Sequence, residues 1–196
     1  MLESALLFGS SPPKPLRQKF FLAGESVAKP LTADVLPAGF SLLPLGGHAP
    51  DMVGIRTPDD VLFVGDAVSS PETLAKYRVT YTFDVGRALA SLEALRVEQA
   101  ALFLPAHAEP TADITALVDA NIAATRSVVA DILAILDTPK THEQLLKELF
   151  DKYGLSLNFG QFGLVGATLR AYLAWLFDEG RVVATVQDNY LCYQAV

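Results

Sequence analysis

Three short apolar runs between Phe40 and Val64 constrain the fold of this chain more than any other feature. The runs are Phe40 to Leu45, Met52 to Arg56 and Val61 to Val64, and Gly, Pro or Asp bounds each of them. Runs of this length flanked by turn formers are typical of strands, and Thr57-Pro-Asp-Asp60 predicts a hairpin between the last two. The centre of the chain is therefore predicted to be a sheet.

Helical periodicity follows the strands. Asp84 is a predicted helix cap, and the apolar residues at 85, 88, 89, 92 and 95 recur every 3.6 residues. The run Ala101 to Leu104 predicts a further strand that ends near His107. The spacing from Ile114 to Leu136 predicts a long amphipathic helix, which ends before Pro139. We expect a domain boundary there, which divides the chain into 1–137 and 138–196.

The segment 138–196 has the pattern of a winged helix. Thr141 and Gln144 form a predicted capping box for a helix that ends at Gly154, and a second helix is predicted over Phe162 to Phe177. Two strands, Arg181 to Val186 and Tyr190 to Tyr193, complete the pattern as a hairpin.

Charge argues against a nucleic-acid partner. Residues 141–196 carry a net charge of −2, and Arg170 is the only basic residue on the candidate recognition helix. A helix that reads DNA normally presents a basic face. The whole chain has a net charge of −7, which makes an anionic lipid surface an equally poor partner.

The remaining composition excludes further classes. Charges and prolines interrupt every apolar run before the ~18 residues that a membrane helix needs. The single cysteine, Cys192, cannot form an internal disulfide, so a reducing cytoplasm is the expected location. Residues 1–39 are rich in proline and are predicted to be connecting structure over a sheet edge.

Three polar residues follow the predicted strands in a suggestive order. His48 lies in a Gly/Pro turn, Asp66 follows Gly65 at the end of a strand, and His107 follows Pro105 after another strand. Taken singly, each is more often a turn former or an exposed histidine than a ligand. Imidazole and carboxylate at the ends of neighbouring strands are, together, a metal-ligand pattern.

The strings HAPDMVG, LFVGDA and FLPAH around these residues resemble, in order and spacing, the later motifs of the metallo-β-lactamase-fold hydrolases. The resemblance implies an α+β fold, here a partial αββα sandwich followed by a small winged-helix domain. It also implies a site with two divalent ions, zinc or else manganese or iron. Asp66 would bridge the ions as the catalytic carboxylate, and His48 and His107 would each bind one.

The family's substrates give a further expectation. Ester-, thioester- and phosphodiester-like small molecules are cleaved on this scaffold, and the fold does not choose among them. The polar and aromatic segment Ser69 to Phe83 follows Asp66 directly, so it is predicted to be a substrate loop, with Tyr77, Arg78 and Tyr81 as substrate-binding residues.

The family's His-x-His-x-Asp-His motif has no counterpart here, since the only histidines are His48, His107 and His142. The first half of the family's fold is expected to be missing; whether it was removed, missed in reading the gene or lost from the gene stays open. Two functions follow: part of a metal-dependent hydrolase, inactive as this chain alone, or a non-catalytic remnant or assembly module that needs a partner chain.

If the first half of the αββα sandwich is missing, one apolar face of the remaining sheet has no packing partner. We expect either a homo-oligomer or the missing amino-terminal half to cover the inner apolar side chains of the strands. The six residues predicted to contribute them are Phe40, Leu42, Val53, Ile55, Leu62 and Val64.

Two other features are expected to have no catalytic role. His142, in the first turn of its helix, is predicted to be solvated. The aromatic residues Tyr172, Trp175 and Phe177 are predicted to serve core packing or a subunit contact.

Overall fold

The computed structural model describes residues 35–196 and the single positions Lys14, Val27 and Leu31. Most of the predicted connecting segment 1–39 therefore lies outside the described residues. The part up to residue 107 contains β1 (Ser41–Pro44), β2 (Val53–Arg56), β3 (Val61–Ser69), α1 (Pro71–Tyr77), α2 (Val85–Val97) and β4 (Leu102–His107). The part after it contains α3 (Thr115–Ile135), α4 (His142–Tyr153), α5 (Phe159–Asp178), β5 (Val182–Gln187) and β6 (Tyr190–Ala195).

Four strands form one mixed sheet in the order β1-β2-β3-β4. The pairs β1/β2 and β2/β3 are antiparallel, whereas β3 and β4 are parallel and are joined by a crossover through α1 and α2. All four predicted strands and the predicted hairpin are confirmed, although β3 runs five residues beyond Val64 to Ser69. This extension carries Asp66 within the strand.

One face of the sheet is covered by helices α2 and α3. Leu62 and Val64 of β3 and Phe103 of β4 are buried there, against α2 residues such as Leu95 and α3 residues such as Val118. The prediction that Leu62 and Val64 belong to an uncovered face is therefore wrong. Alternate side chains of a strand point to opposite faces, and these two face the helices.

The other face of the sheet is apolar and partly open. Leu42, Ile55, Phe63 and Leu104 are cross-strand partners in register, so their side chains share this face. Phe63 is 46% exposed, and the other three are half-buried. The predicted open face thus exists, with Leu42 and Ile55 on it.

Helix α3 belongs to two apolar cores. Val118 and Ile122 pack in the core beneath the sheet. Val129 and Ile132, further along the same helix, pack in a second core with residues of α4, α5 and β5. The predicted long helix is confirmed, and the boundary at 137/138 stays a prediction.

The carboxyl-terminal elements follow the predicted order of two helices and a hairpin. The capping box of α4 is confirmed: the Thr141 hydroxyl accepts from the Gln144 amide, and the Gln144 side chain accepts from the Thr141 amide. Gly154 ends the helix in the left-handed conformation at φ 64°. In α5, Tyr172 is buried as predicted for core packing, whereas Phe177 is 52% exposed. The winged-helix assignment of these elements stays a prediction.

His142 is not solvated, so that prediction is wrong. Only 5% of the residue is exposed, because the first turn of α4 packs against α5. Its Nε2 lies 2.9 Å from the carbonyl oxygen of Gly166, and the histidine links the two helices.

None of the helices within residues 35–196 combines the length and apolarity that a membrane crossing requires.

Candidate active site

The ends of three strands bring His48, Asp66 and His107 together. His48 lies in the turn between β1 and β2, Asp66 lies in β3, and His107 is the last residue of β4. Strands β3 and β4 run parallel, so their carboxyl ends meet at one edge of the sheet. The register of this pair shifts on both sides of Gly65, whose φ is +54°. An irregularity of this kind changes the direction of the next side chain, here Asp66.

Each carboxylate oxygen of Asp66 faces a different histidine. Oδ1 lies 3.1 Å from Nε2 of His107, and Oδ2 lies 3.7 Å from Nε2 of His48. The Asp66 side chain is 37% exposed, so solvent reaches part of it. All three residues predicted as metal ligands are therefore neighbours in space.

The donor atoms fit divalent metal ions in type and spacing. Two ligands on a tetrahedral zinc with bonds of 2.0–2.1 Å are about 3.3 Å apart, and the two nitrogen–oxygen distances lie on either side of this value. The number of ligands, in contrast, is smaller than a metal site normally has. Within the described part of the chain, no group of three or more His, Cys, Asp or Glu is arranged to hold one ion.

The turn that carries His48 is held against α2. The Ser91 hydroxyl donates to the Gly46 carbonyl at 2.7 Å, and the amides of Phe83 and Asp84 donate to the Gly47 carbonyl. A Cβ on Gly47 would lie 2.4 Å from the backbone of Ala88, and Gly47 also has φ +134°. Only glycine therefore allows this turn to approach α2 and hold His48 in place.

The segment predicted as a substrate loop contains a helix, so the prediction of its conformation is wrong. Residues 71–77 form α1, whose N-cap Ser70 accepts from the Thr73 amide. The sequence carries the relevant pattern, since Ser at the N-cap, Pro71 at the first position and Glu72 in the first turn all favour a helix start.

The three predicted substrate-binding residues follow α1 or end it, and each has a different environment. The Tyr81 ring contacts the His48 ring edge-on, with centroids 5.3 Å apart. Arg78, with φ +59°, places its guanidinium 5.2 Å from the centre of the Tyr153 ring in α4. Tyr77 is 48% exposed and lies beneath the Lys76 ammonium.

A single cleft of about 1000 Å³ contains all six predicted site residues. Its walls also include residues that sequence reasoning missed, on α3 and α5. Asn121 of α3 is 8% exposed; it accepts from the Ser69 amide at 3.0 Å and donates to the Ser69 carbonyl at 2.8 Å. A lone amide in an otherwise apolar helix face indicates such a buried polar link, and Asn121 carried that signal in the sequence.

Comparison with solved structures identifies the fold. A metallo-beta-lactamase family protein from Thermus thermophilus superposes with a TM-score of 0.72 at 23% identity, over 98% of this chain and 64% of that protein. A beta-lactamase domain protein from Burkholderia ambifaria superposes with a TM-score of 0.62 at 18% identity, over 80% of this chain and 47% of that protein. No family model and no curated protein matches the sequence. At these identities the likeness shows the fold, and the chain spans less than two thirds of either protein.

Proposed function

We propose that this chain contributes its metal ligands to a metal-dependent hydrolase of the metallo-β-lactamase superfamily. The observation that carries the proposal is the geometry of Asp66, which offers one carboxylate oxygen toward each of two imidazoles. The superposition on two metallo-β-lactamase-fold structures supports the same function at the level of the fold.

The residues have distinct roles in this proposal. His48 and Asp66 Oδ2 would hold one divalent ion, His107 and Asp66 Oδ1 the other, with zinc, manganese or iron as the candidates. Such ions, when bound, lower the pKa of water and polarise a carbonyl or phosphoryl oxygen. Tyr81 supports the His48 ring from its edge.

The cleft walls suit a small ester-, thioester- or phosphodiester-like substrate. Lys76 and Arg78 both line the cleft. Their positive charges favour a substrate whose oxygen gains negative charge during hydrolysis. Tyr77 and Tyr81 also line the cleft, where their rings offer apolar surface to a substrate.

Two ligands for each ion predict weak metal retention. Each ion needs further donors, from water or from another polypeptide segment, to reach the usual coordination number. We therefore expect purified chain to bind zinc weakly, to lose it on dialysis against a chelator and to hydrolyse nothing efficiently.

A zinc titration of three proteins tests the proposal. Wild-type chain should bind zinc, and Asp66→Asn should abolish this binding because the asparagine oxygen is uncharged. The matched control is Asp51→Asn, because Asp51 is an exposed carboxylate in the same turn as His48, and its loss should leave zinc binding unchanged. Equal zinc affinity in wild type and Asp66→Asn would contradict the assignment, and two ions that survive chelation would contradict the ligand count.

Hydrolysis tests the function itself. Where another segment completes the ligand set, Asp66→Ala should abolish cleavage of ester, thioester or phosphodiester substrates while circular dichroism stays unchanged.

A second candidate function is a non-catalytic assembly module that needs a partner chain. The small ligand number in the described residues and the apolar sheet face around Phe63 favour it. Retained assembly with no hydrolysis by the completed complex would support this candidate over the hydrolase.

A further inference from the structure

The cleft extends well beyond the three candidate ligands, along helix α3. Asn121, Thr125 and Val128 line it on successive turns of this helix. Asn121 is hydrogen-bonded to Ser69, which follows Asp66 by three residues. The Asn121 end of the cleft therefore lies beside the candidate metal ligands. Val128 is seven residues further on, which is about 10 Å along the helix axis. We call the far part of the cleft, which is lined by Val128 and by α5, the inner chamber.

The inner chamber is lined by apolar side chains. Val79, Val128, Phe150 and Tyr172 line it and are at most 5% exposed. The hydroxyls nearby already have partners: Thr168 donates to the Leu164 carbonyl at 3.0 Å, Thr125 donates to the Asn121 carbonyl at 3.0 Å, and the Tyr172 hydroxyl is hydrogen-bonded with Thr125. The chamber wall therefore favours an apolar group over a charged one.

One polar atom of the cleft wall has no partner. Gln161 Oε1, on the first turn of α5, is buried and makes no hydrogen bond, and within residues 35–196 no other buried side-chain nitrogen or oxygen shares this state. A buried acceptor without a donor is costly, and native proteins rarely keep one without a reason. Because this oxygen has almost no accessible surface, a ligand in the cleft that offers an N–H or O–H would reach it only after the Gln161 side chain rotates, and the new hydrogen bond would then remove this cost.

We propose that the inner chamber binds the apolar part of an amphipathic substrate, and that this part carries one hydrogen-bond donor for Gln161. The hydrolysable group then lies at Asp66 and the apolar chain or ring lies along α3. Only the position of the hydrolysable group rests on the proposed function. The volume of the cleft, about 1000 Å³, is at the upper end for small-molecule sites, so reacting group and apolar part fit together.

Neutral alcohols test the chamber without any need for hydrolysis. The probes are primary alcohols from 1-butanol to 1-octanol, each paired with the methyl ether that has the same number of carbon atoms, and binding is measured by calorimetry on the full chain. Each added methylene should tighten binding about fourfold, the equivalent of ~0.8 kcal/mol per buried CH₂, until the chamber is full. Each alcohol should bind about fivefold tighter than its ether, since the ether cannot donate the hydrogen bond, worth ~1 kcal/mol.

Three variants locate the binding. Ala124→Phe places a ring in the chamber from α3 and should remove the dependence on chain length, whereas the control Ala123→Phe, at the exposed neighbouring position, should retain it. Gln161→Leu should make alcohol and ether bind equally. All of these titrations are carried out with a chelator present, so a failure of the metal assignment leaves this result intact.

Specific outcomes would overturn the proposal. Affinity that does not rise with chain length in wild type would show that the chamber does not take apolar groups. An unchanged alcohol preference in Gln161→Leu would remove Gln161 from recognition. Both measurements stand even where Ala124→Phe fails to fold.

Discussion

Glycines beside the candidate ligands determine where the ligands lie. Gly65, at φ +54°, breaks the regular pairing of β3 with β4 just before Asp66. Gly47 lets the His48 turn approach the backbone of Ala88 more closely than any side chain would permit. At the residue scale, the candidate site therefore depends on two glycines that have no side chain to bind a metal or substrate.

His142 gives a prediction about pH at the same scale. Burial lowers its pKa, with a further lowering from the nearby Arg170 charge. The unfolded chain, with a histidine pKa of about 6.5, then binds more protons than the folded chain just below that pH, so stability is present above pH 6.5 and is lost as pH falls. His142→Gln should flatten this loss between pH 7.5 and 5.5.

Thermal unfolding across this pH range measures the effect. The difference between wild type and His142→Gln isolates residue 142, because every other ionisable group is the same in the two proteins. A difference in melting temperature that stays constant with pH would show that His142 does not titrate on unfolding.

The contrast between the three candidate ligands and His142 shows which residues could be placed correctly from the sequence. His48, Asp66 and His107 were predictable because each follows a predicted strand within a sequence string that resembles a motif of a known family. His142 was not, because its burial depends on another helix, α5, whose Gly166 carbonyl oxygen lies 2.9 Å from the His142 Nε2. Gln161 was equally hidden, since only the packing of α5 buries its oxygen.

At the element scale, one side chain joins the sheet to its longest helix. Asn121 of α3 satisfies both the amide and the carbonyl of Ser69 at the end of β3. Its amide also donates to the Leu117 carbonyl at 2.8 Å. The carboxyl end of the strand that bears Asp66 is thereby fixed to the helix that lines the cleft.

Loss of this link should be costly. Asn121→Leu would leave two backbone groups of Ser69 without a side-chain partner, at roughly 1–3 kcal/mol for each group that stays buried and unpaired. Urea denaturation should therefore show a free energy of unfolding lower by about 2 kcal/mol or more. Ser127→Ala, at an exposed position of the same helix, is the control and should change stability little; equal stability of both variants would contradict the role of Asn121.

Elements with strong local patterns were predictable, and α1 shows the limit. The capped helices α2 and α4 begin where Asp84 and Thr141 predict. Helix α1 has seven residues and none of them is buried, so it lacks the apolar periodicity that revealed the longer helices. The N-cap Ser70 and the first-turn residues Pro71 and Glu72 were the only sequence signals for this helix.

At the scale of the whole molecule, the open sheet face gives a prediction about assembly. Leu42, Ile55, Phe63 and Leu104 form an apolar patch on the face opposite the helices. We expect this patch to be covered by a second copy of the chain or by a separate partner. Light scattering should then give a mass above the 21.1 kDa of one chain, because burial of apolar area favours association at ~25 cal/mol per Å².

Phe63→Lys tests which surface is responsible. A charge at the centre of the patch should shift the protein toward a single chain, whereas Val97→Lys, at an apolar residue of α2 that is 76% exposed, should not. A wild-type mass of one chain, with no co-purifying protein, would contradict the prediction.

The membership of α3 in both cores couples the two parts of the molecule thermodynamically. Opening of the core beneath the sheet removes the support of Val129 and Ile132, and opening of the second core releases Val118 and Ile122. We therefore expect local opening of one core to lower the stability of the other through this helix. A ligand bound against α3 adds its RT ln(1 + [L]/Kd) to the stability of both at once, so occupancy of the cleft slows amide hydrogen exchange far from the place where the ligand sits.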